Sequence, residues 1–405
     1  MKQKLGFTGW LYIIPTLLLI GIFSLWPVFQ SITYSLFDFK LNEQQKAGLF
    51  INERFNTSLF NETILYTEMF LEEDMTNISA VEDQQKVETF LHEINSIATP
   101  FSELQEVIKI SSDEREQIEL LHQNGTALIG HLNKTYTLTH AETLPLIMED
   151  INNSIIPANF SGLEGYGNVF SDKRIFISFI NTLIFTVVSV GLELLLGLFL
   201  ALILNKAIFG QGFVRTTSLI PWAIPTAVAA LMWGYLYDGS SGIVAHFFEA
   251  LGLVEQSQNL LLSASGAMVS TILADVWKTT PYMALLLLAG LQNIPASLYE
   301  AASIDGASKV KSFFTITLPL LKTSILVALL FRTLDAFRVF DLIYVLTGGG
   351  PGGATETMSI YAYKLMFGQT DFGYGSVVVM VMFVCVAIIA IIFVRLLGTN
   401  LLDRN

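Results

Sequence analysis

The chain has 405 residues, of which 52% are apolar and 14% charged, with a mean hydropathy of +0.56 and a formal net charge of −13. This balance is too apolar and too charge-poor for an ordinary water-soluble domain, and it excludes a nucleic-acid partner from the expected set. The acidity is local: residues 38–172 hold 23 Asp+Glu against 7 Lys+Arg, a balance of −16, and the remainder 12 against 15, a balance of +3. A lone Cys385 rules out an intrachain disulfide, and five histidines without i,i+4 pairing offer no metal motif, so no metal is expected.

A bilayer core about 30 Å thick needs roughly 20 apolar residues per helix. Six stretches qualify: about 11–36, 175–204, 213–237, 264–291, 318–346 and 372–397. The first follows Lys2 and Lys4, but its apolar run is too long for a signal peptide and no small-residue cleavage site follows, so it reads as an uncleaved anchor. Orientation follows from Lys and Arg near the spans. With the N-terminus inside, the inner set is Lys2, Lys4, Lys206, Arg215, Lys309, Lys311, Lys322, Arg395 and Arg404, and the outer flanks hold Lys40, Lys173, Arg174 and Lys364. Nine against four puts both termini in the cytoplasm. The expected fold is an all-α polytopic membrane protein of six transmembrane helices, with a large extracytoplasmic helical insert between the first and second. The segments are 1–37 (tail and first span), 38–172 (insert), 173–398 (five-helix core, with a cytoplasmic loop at about 293–318) and 399–405 (tail).

Within the insert, Val87, Leu91 and Ile94, then Phe101, Leu104, Val107 and Ile108, recur at three- and four-residue spacing and predict helices. Seven Asn-x-Ser/Thr sequons, at Asn56, Asn61, Asn77, Asn124, Asn133, Asn152 and Asn159, read as chance in an Asn- and Thr-rich region. The acidic excess serves solubility or the docking of an outer partner, and both remain open.

The loop "NIPASLYEAASIDGASKVKSFFTITLP" carries helix punctuation. Pro295 suits a first turn, Gly306 a left-handed stop, and Ser308 the cap of a second helix. The helix of about ten residues between Ala296 and Asp305 is too short to stand alone in water. Its Leu298, Ala301 and Ala302 share a face, and small side chains there suit close approach of a protein groove better than a lipid surface.

Glu300-Ala301-Ala302, Asp305-Gly306-Ala307, Phe313, Ile316 and Leu318-Pro319 resemble the EAA signature of the membrane subunits of binding-protein-dependent ABC importers. "FDLIYVLTGGGPGGATETM" (340–358) and "VGLELLLGLFLALILN" (190–205) resemble core segments of the carbohydrate-importing branch, whose familiar members are the maltose permeases. The resemblance covers about 175–398. It implies a permease subunit in a bacterial cytoplasmic membrane, in contact with lipid, moving a di- or oligosaccharide by alternating access. It also implies two cytoplasmic ATPase subunits, a second homologous permease subunit and an extracytoplasmic sugar-binding protein. In that family the EAA loop is a coupling helix seated in an ATPase cleft. Glu300 would meet a basic residue there, Ala301 and Ala302 would form the packing face, Gly306 would make the turn, and Asp305 and Ala307 complete the motif. No G-x-x-x-x-G-K-[ST] loop is present, so the chain is not expected to be an enzyme or to hold a cofactor; ATP and Mg²⁺ belong to the partner ATPases. The insert of about 135 residues is longer than most members carry. Certain maltose-type subunits have a large outer domain that meets the binding protein.

Charges at membrane depth are costly and face the bundle or a wet cavity. Arg332, Asp335, Arg338 and Asp341 recur every three residues, which drifts about 60° per step and makes a slanting ribbon. Mutual neutralisation and lining of a sugar path both fit. Asp275 and Lys278 are spaced to pair at i,i+3, and Glu193 has no local partner, which fits gating or interhelix packing. Trp222, Trp233, Trp277 and Tyr344 suit stacking on sugar rings or anchoring at the interface. "TGGGPGG" (347–353) lacks the Lys-Ser/Thr of a phosphate loop and reads as a tight outer turn with gating or docking contacts. A phosphorylated polyol such as glycerol phosphate is the alternative cargo. A sensory receptor lacks room for a cytoplasmic module, and a hydrolase built on Asp335 and Asp341 fails because six residues place them on different helix faces.

Overall fold

A computed structural model describes residues 7–206 and 210–402; Lys2, Lys4 and Arg404 of the orientation argument lie outside them. The chain packs as two compact units. One comprises Leu36–Gly162 with Thr370–Gly373, and the other the remaining described residues.

In the larger unit five helices are long and apolar enough to cross a membrane: Tyr12–Tyr34, Lys173–Leu204, Ala264–Leu291, Lys309–Phe337 and Phe372–Gly398. The expected span at 213–237 is not one helix but three, Gln211–Ser218, Ile220–Ala223 and Thr226–Leu236. Pro225 causes the second break: it offers no N–H and pushes the residue before it out of the helical region, and Ile224 sits at φ −69°, ψ 132°. The span expected at 318–346 also stops early. Its helix Leu318–Phe337 gives way at Arg338, and a separate helix, Asp341–Leu346, follows. Two other prolines are absorbed without a break. A π-turn at Gly21–Leu25 precedes Pro27 and another at Phe313–Thr317 precedes Pro319, each closed by an N–H to the carbonyl five residues back.

Helices Lys173–Leu204, Ala264–Leu291 and Leu318–Phe337 lie close because glycine stands at their crossings. A Cβ on Gly197 would come within 3.2 Å of the Ala284 backbone nitrogen, and one on Gly290 would strike the Ser324 side chain. Small residues at such crossings let membrane helices approach through backbone contact.

The smaller unit is built from helices Thr57–Asp74, Val81–Ala98, Ser112–Thr135 and Thr143–Asn153 around Phe55, Phe60, Leu71, Val87, Ile94, Ile118 and Leu121. Val87 and Ile94 are fully buried, as their spacing predicts. The all-helical expectation is corrected at Leu104, Val107 and Ile108, which are not helical. Val107 and Ile108 form part of a short sheet. They belong to β2 (Val107–Lys109), which pairs antiparallel with β1 (Arg54–Asn56), itself flanked by β3 (Ile155–Ile156). Runs of two or three residues are too short for alternation to show in sequence. The extended backbone of β1 aims Phe55 into the core, where its ring meets Phe60 at 5.0 Å and Phe101 at 4.9 Å. A capping box from Ser111 and Glu114 then starts the next helix.

Several sequon asparagines hold the backbone together. Asn159 accepts from Phe50 N at 2.8 Å and donates to Gly48 O at 2.7 Å, and Asn61 donates to Phe101 O at 2.8 Å. Asp74 is fully buried and accepts from the backbone N–H of Thr139 (2.6 Å) and His140 (3.1 Å). Burial alone pushes its carboxyl upward, but the hydrogen bonds outweigh it and hold the group below the usual carboxylate range. A lowered folded-state pKa adds stability that is present at neutral pH and lost as pH falls through that value. Asp74→Ala should therefore destabilise this unit by about 2 kcal/mol at neutral pH. Hydrogen exchange at Thr57–Asp74 amides in the detergent-solubilised protein should show the difference, and it should shrink on acidification below about pH 4.

Candidate functional site

Arg332 is 1% exposed and its guanidinium is shared among carboxylates from three helices. Nε donates to Glu193 Oε2 at 2.5 Å and Nη2 to Glu193 Oε1 at 2.9 Å, a two-pronged contact from Leu318–Phe337 to Lys173–Leu204. Nη2 also donates to Asp275 Oδ2, on Ala264–Leu291. Nη1 reaches Asp335 Oδ2 at 3.1 Å, one turn along its own helix. Thr279 adds a hydroxyl to Glu193 Oε1 at 2.7 Å. A planar, permanently charged fork suits this arrangement because it satisfies several acceptors in fixed directions.

The cluster brings together Glu193, Arg332 and Asp335, and adds Asp275. Glu193, without a local partner in sequence, finds one 139 residues away. The expected Asp275 and Lys278 pair does not form. Lys278, 8% exposed, donates instead to the carbonyls of Trp222 (3.2 Å) and Ile224 (2.6 Å). Those carbonyls end the short helix Ile220–Ala223, where the break at Pro225 leaves acceptors without helical donors, and a cation at a helix C-terminus also meets the negative end of its dipole. Arg338 and Asp341 do not continue the slanting ribbon of one helix. The helix ends between them and Arg332, both are exposed, and neither enters an ion pair among the described residues.

Asp335 has a side chain 63% exposed, unlike its buried partners. At membrane depth an exposed carboxylate does not face acyl chains, so its face of the helix adjoins water or protein. Trp222 stacks on Tyr282 (5.5 Å, 12° between planes), and Tyr344 on Phe340 (5.2 Å, 16°), both with substantial exposure of the named residue. Trp233 packs against Tyr237 and Trp277 beside an apolar cluster.

The loop after Ala264–Leu291 forms a helix, Ala296–Ile304, with no buried residue. Gly306 at φ +76° ends it, with Ala307 N donating to Ala302 O at 2.9 Å, and the Ser308 side chain caps the next turn. Glu300, Ala301 and Asp305 are exposed, Ala302 and Ala307 half-buried, and Glu300 pairs with no cation among the described residues. Sequence reasoning missed Ile304, which is 87% exposed and the most prominent apolar side chain on this helix. Its position four residues after Glu300 was the available signal.

Five helices long and apolar enough to cross a membrane, tied by a buried charge cluster, define a membrane protein with several spanning helices. Residues 193–404 match the model of the binding-protein-dependent transport system inner membrane component, and the chain belongs to that family. It is 48% identical over 236 residues to the trehalose/maltose transport system permease protein MalF of Thermococcus litoralis, covering 58% of this chain and 79% of that protein. It is 41% identical to the sulfoquinovosyl glycerol transport system permease protein SmoG of Agrobacterium fabrum, covering 60% and 79%. To the trehalose transport system permease protein SugA of Mycobacterium tuberculosis it is 42% identical, covering 61% and 78%. The fold is similar to a chain of a bacterial ABC transporter for the acidic polysaccharide alginate, at TM-score 0.53 and 22% identity, covering 59% of this chain and 84% of that one.

Removing Arg332 leaves buried carboxylates uncompensated, so Arg332→Leu should destabilise the unit by about 3–5 kcal/mol. Arg332→Lys should recover little of that, because an ammonium does not reproduce the two-pronged contact. Thermal unfolding in detergent measures both.

Proposed function

We propose that this chain is the membrane subunit of an ATP-driven importer that carries a di- or oligosaccharide across the cytoplasmic membrane. The observation that carries the reading is the bare Ala296–Ile304 helix. Nine residues do not hold a helix in water by themselves, so its exposed Leu298, Ala301 and Ile304 call for a covering protein. In this family of transport components, that cover is a cytoplasmic ATPase subunit. The relatives named for trehalose and maltose, at 42–48% identity, support a sugar cargo.

In the proposed topology the five long helices and the broken 211–236 segment make six crossings. Both termini lie inside and the smaller unit lies outside, where an extracytoplasmic sugar-binding protein meets the complex. A second permease chain completes the path. Asp335, with Trp222 and Tyr344, lines it, while Glu193, Asp275 and Arg332 keep the helices in register. Carboxylates outnumber the cations there, which disfavours a phosphorylated polyol. Closing and opening of two ATPases shifts the equilibrium between inward- and outward-open forms, through the differential contacts that each makes with the coupling helix.

The test is reconstitution of the full complex in liposomes with candidate sugar-binding proteins, measuring ATP hydrolysis and uptake across disaccharides, longer glycans and glycerol phosphate. Stimulation by glycerol phosphate alone, or by no sugar, rejects the cargo assignment. Ile304→Asp combined with Glu300→Lys should abolish sugar-stimulated hydrolysis while the unfolding midpoint stays that of the wild type. Asp335→Asn should raise the KM for uptake several-fold and cost no more than about 1 kcal/mol of stability, because Asp335 is exposed and Glu193 and Asp275 still hold Arg332. An unchanged KM removes Asp335 from the path.

A further inference from the structure

The segment 347–358 holds five glycines, and four of them, Gly348, Gly349, Gly352 and Gly353, have positive φ between 56° and 87°. Backbone of that composition has many conformations of similar energy, so its observed path depends on what grips it. The grip comes from side chains. On the first core helix, Lys173–Leu204, Asn181 Nδ2 donates to the carbonyls of Gly353 (2.9 Å) and Glu356 (3.1 Å), and Thr182 Oγ1 accepts from Met358 N at 3.0 Å.

The centre of the grip is Glu356, whose side chain is 3% exposed. Arg174 holds it from the first turn of that helix, through Nε to Oε1 (2.7 Å) and Nη2 to Oε2 (2.9 Å). Lys364 reaches Oε2 at 2.7 Å from the π-turn Lys364–Gly368. Burial alone would push the Glu356 carboxyl upward, but the two cations outweigh it and hold it below the usual carboxylate range, so the group is charged at neutral pH. Arg174 also lies over the Tyr361 ring, 4.8 Å from its centre. The asymmetry matters. Arg174 and Lys364 keep 46% and 34% of their side chains exposed, so both can return to water at small cost. Only the carboxylate is deeply enclosed, and it rides on the segment whose backbone bends most easily.

We propose that Glu356 is a positioning residue for transport: it latches the glycine-rich segment to the first core helix, and its parting from Arg174 and Lys364 is a step of the transport cycle. The segment is flanked by the helices Asp341–Leu346 and Met358–Tyr363, whose Tyr344 and Tyr363 rings meet at 5.0 Å, so its movement would separate two aromatic groups beside the proposed path. This inference rests on the importer reading.

The experiment uses the full complex in liposomes with Cys385→Ser as background, adding Thr182→Cys and Met358→Cys across the latch. Oxidation should lower uptake about tenfold or more, and a reductant should restore it. In parallel, Glu356→Gln should raise ATP hydrolysis measured without binding protein, and Glu356→Asp should bring it back toward wild type. A merely structural brace predicts the opposite pattern, with less folded protein and lower hydrolysis. Uptake at the reduced rate by a complex shown by mass to be cross-linked overturns the latch, as does Glu356→Gln with wild-type hydrolysis and uptake. If instead the unaltered complex moves no sugar, the importer reading fails and the latch falls with it, an outcome separate from the other two.

Discussion

A guanidinium in a membrane bundle sets the terms for everything around it. Arg332 loses nearly all contact with solvent, and the cost of that transfer is offset only if several acceptors meet its N–H groups at once. Glu193 and Asp275 supply them from two other helices, which forces the three helices to cross at one level. Gly197 and Gly290 permit the close crossings, since a single methyl at either would meet backbone or a neighbouring side chain. The polar contact and the missing side chains are therefore one device.

The break at Pro225 belongs to the same logic. A broken helix at membrane depth frees carbonyls that hydrocarbon does not satisfy, and Lys278 satisfies two of them. The lysine is in turn tolerable there because it gains those acceptors. Two surfaces remain open. One is the bare helix ending in Ile304, and the other is the face carrying Asp335. The smaller unit is self-sufficient by contrast, with its own aromatic core and its own three strands.

Local signals were legible and distant ones were not. Pro295, Gly306 and Ser308 mark the helix Ala296–Ile304 and the turn after it to within a residue, because caps and positive-φ turns are decided by neighbours in the chain. Pro225 was equally visible, yet a long apolar run hid its effect on the third span. The end of the helix at Phe337 had no such marker, so Arg338 and Asp341 were grouped with Arg332 by spacing alone. Strands of two and three residues lie below the length at which any period is readable.

By itself the sequence determined that the chain carries membrane-length apolar runs, that its acidity is concentrated in 38–172, and that a short alanine-rich helix stands on the loop near 296–305. Those conclusions rest on composition, run length and caps, all of which act within a few residues. The tertiary structure alone decided that Glu193 answers Arg332, that Lys278 turns from Asp275 to the carbonyls of a broken helix, and that Glu356 is gripped by two cations. Ion pairing at membrane depth is settled by which acceptors the crossing helices bring within reach, and spacing along one helix does not encode that.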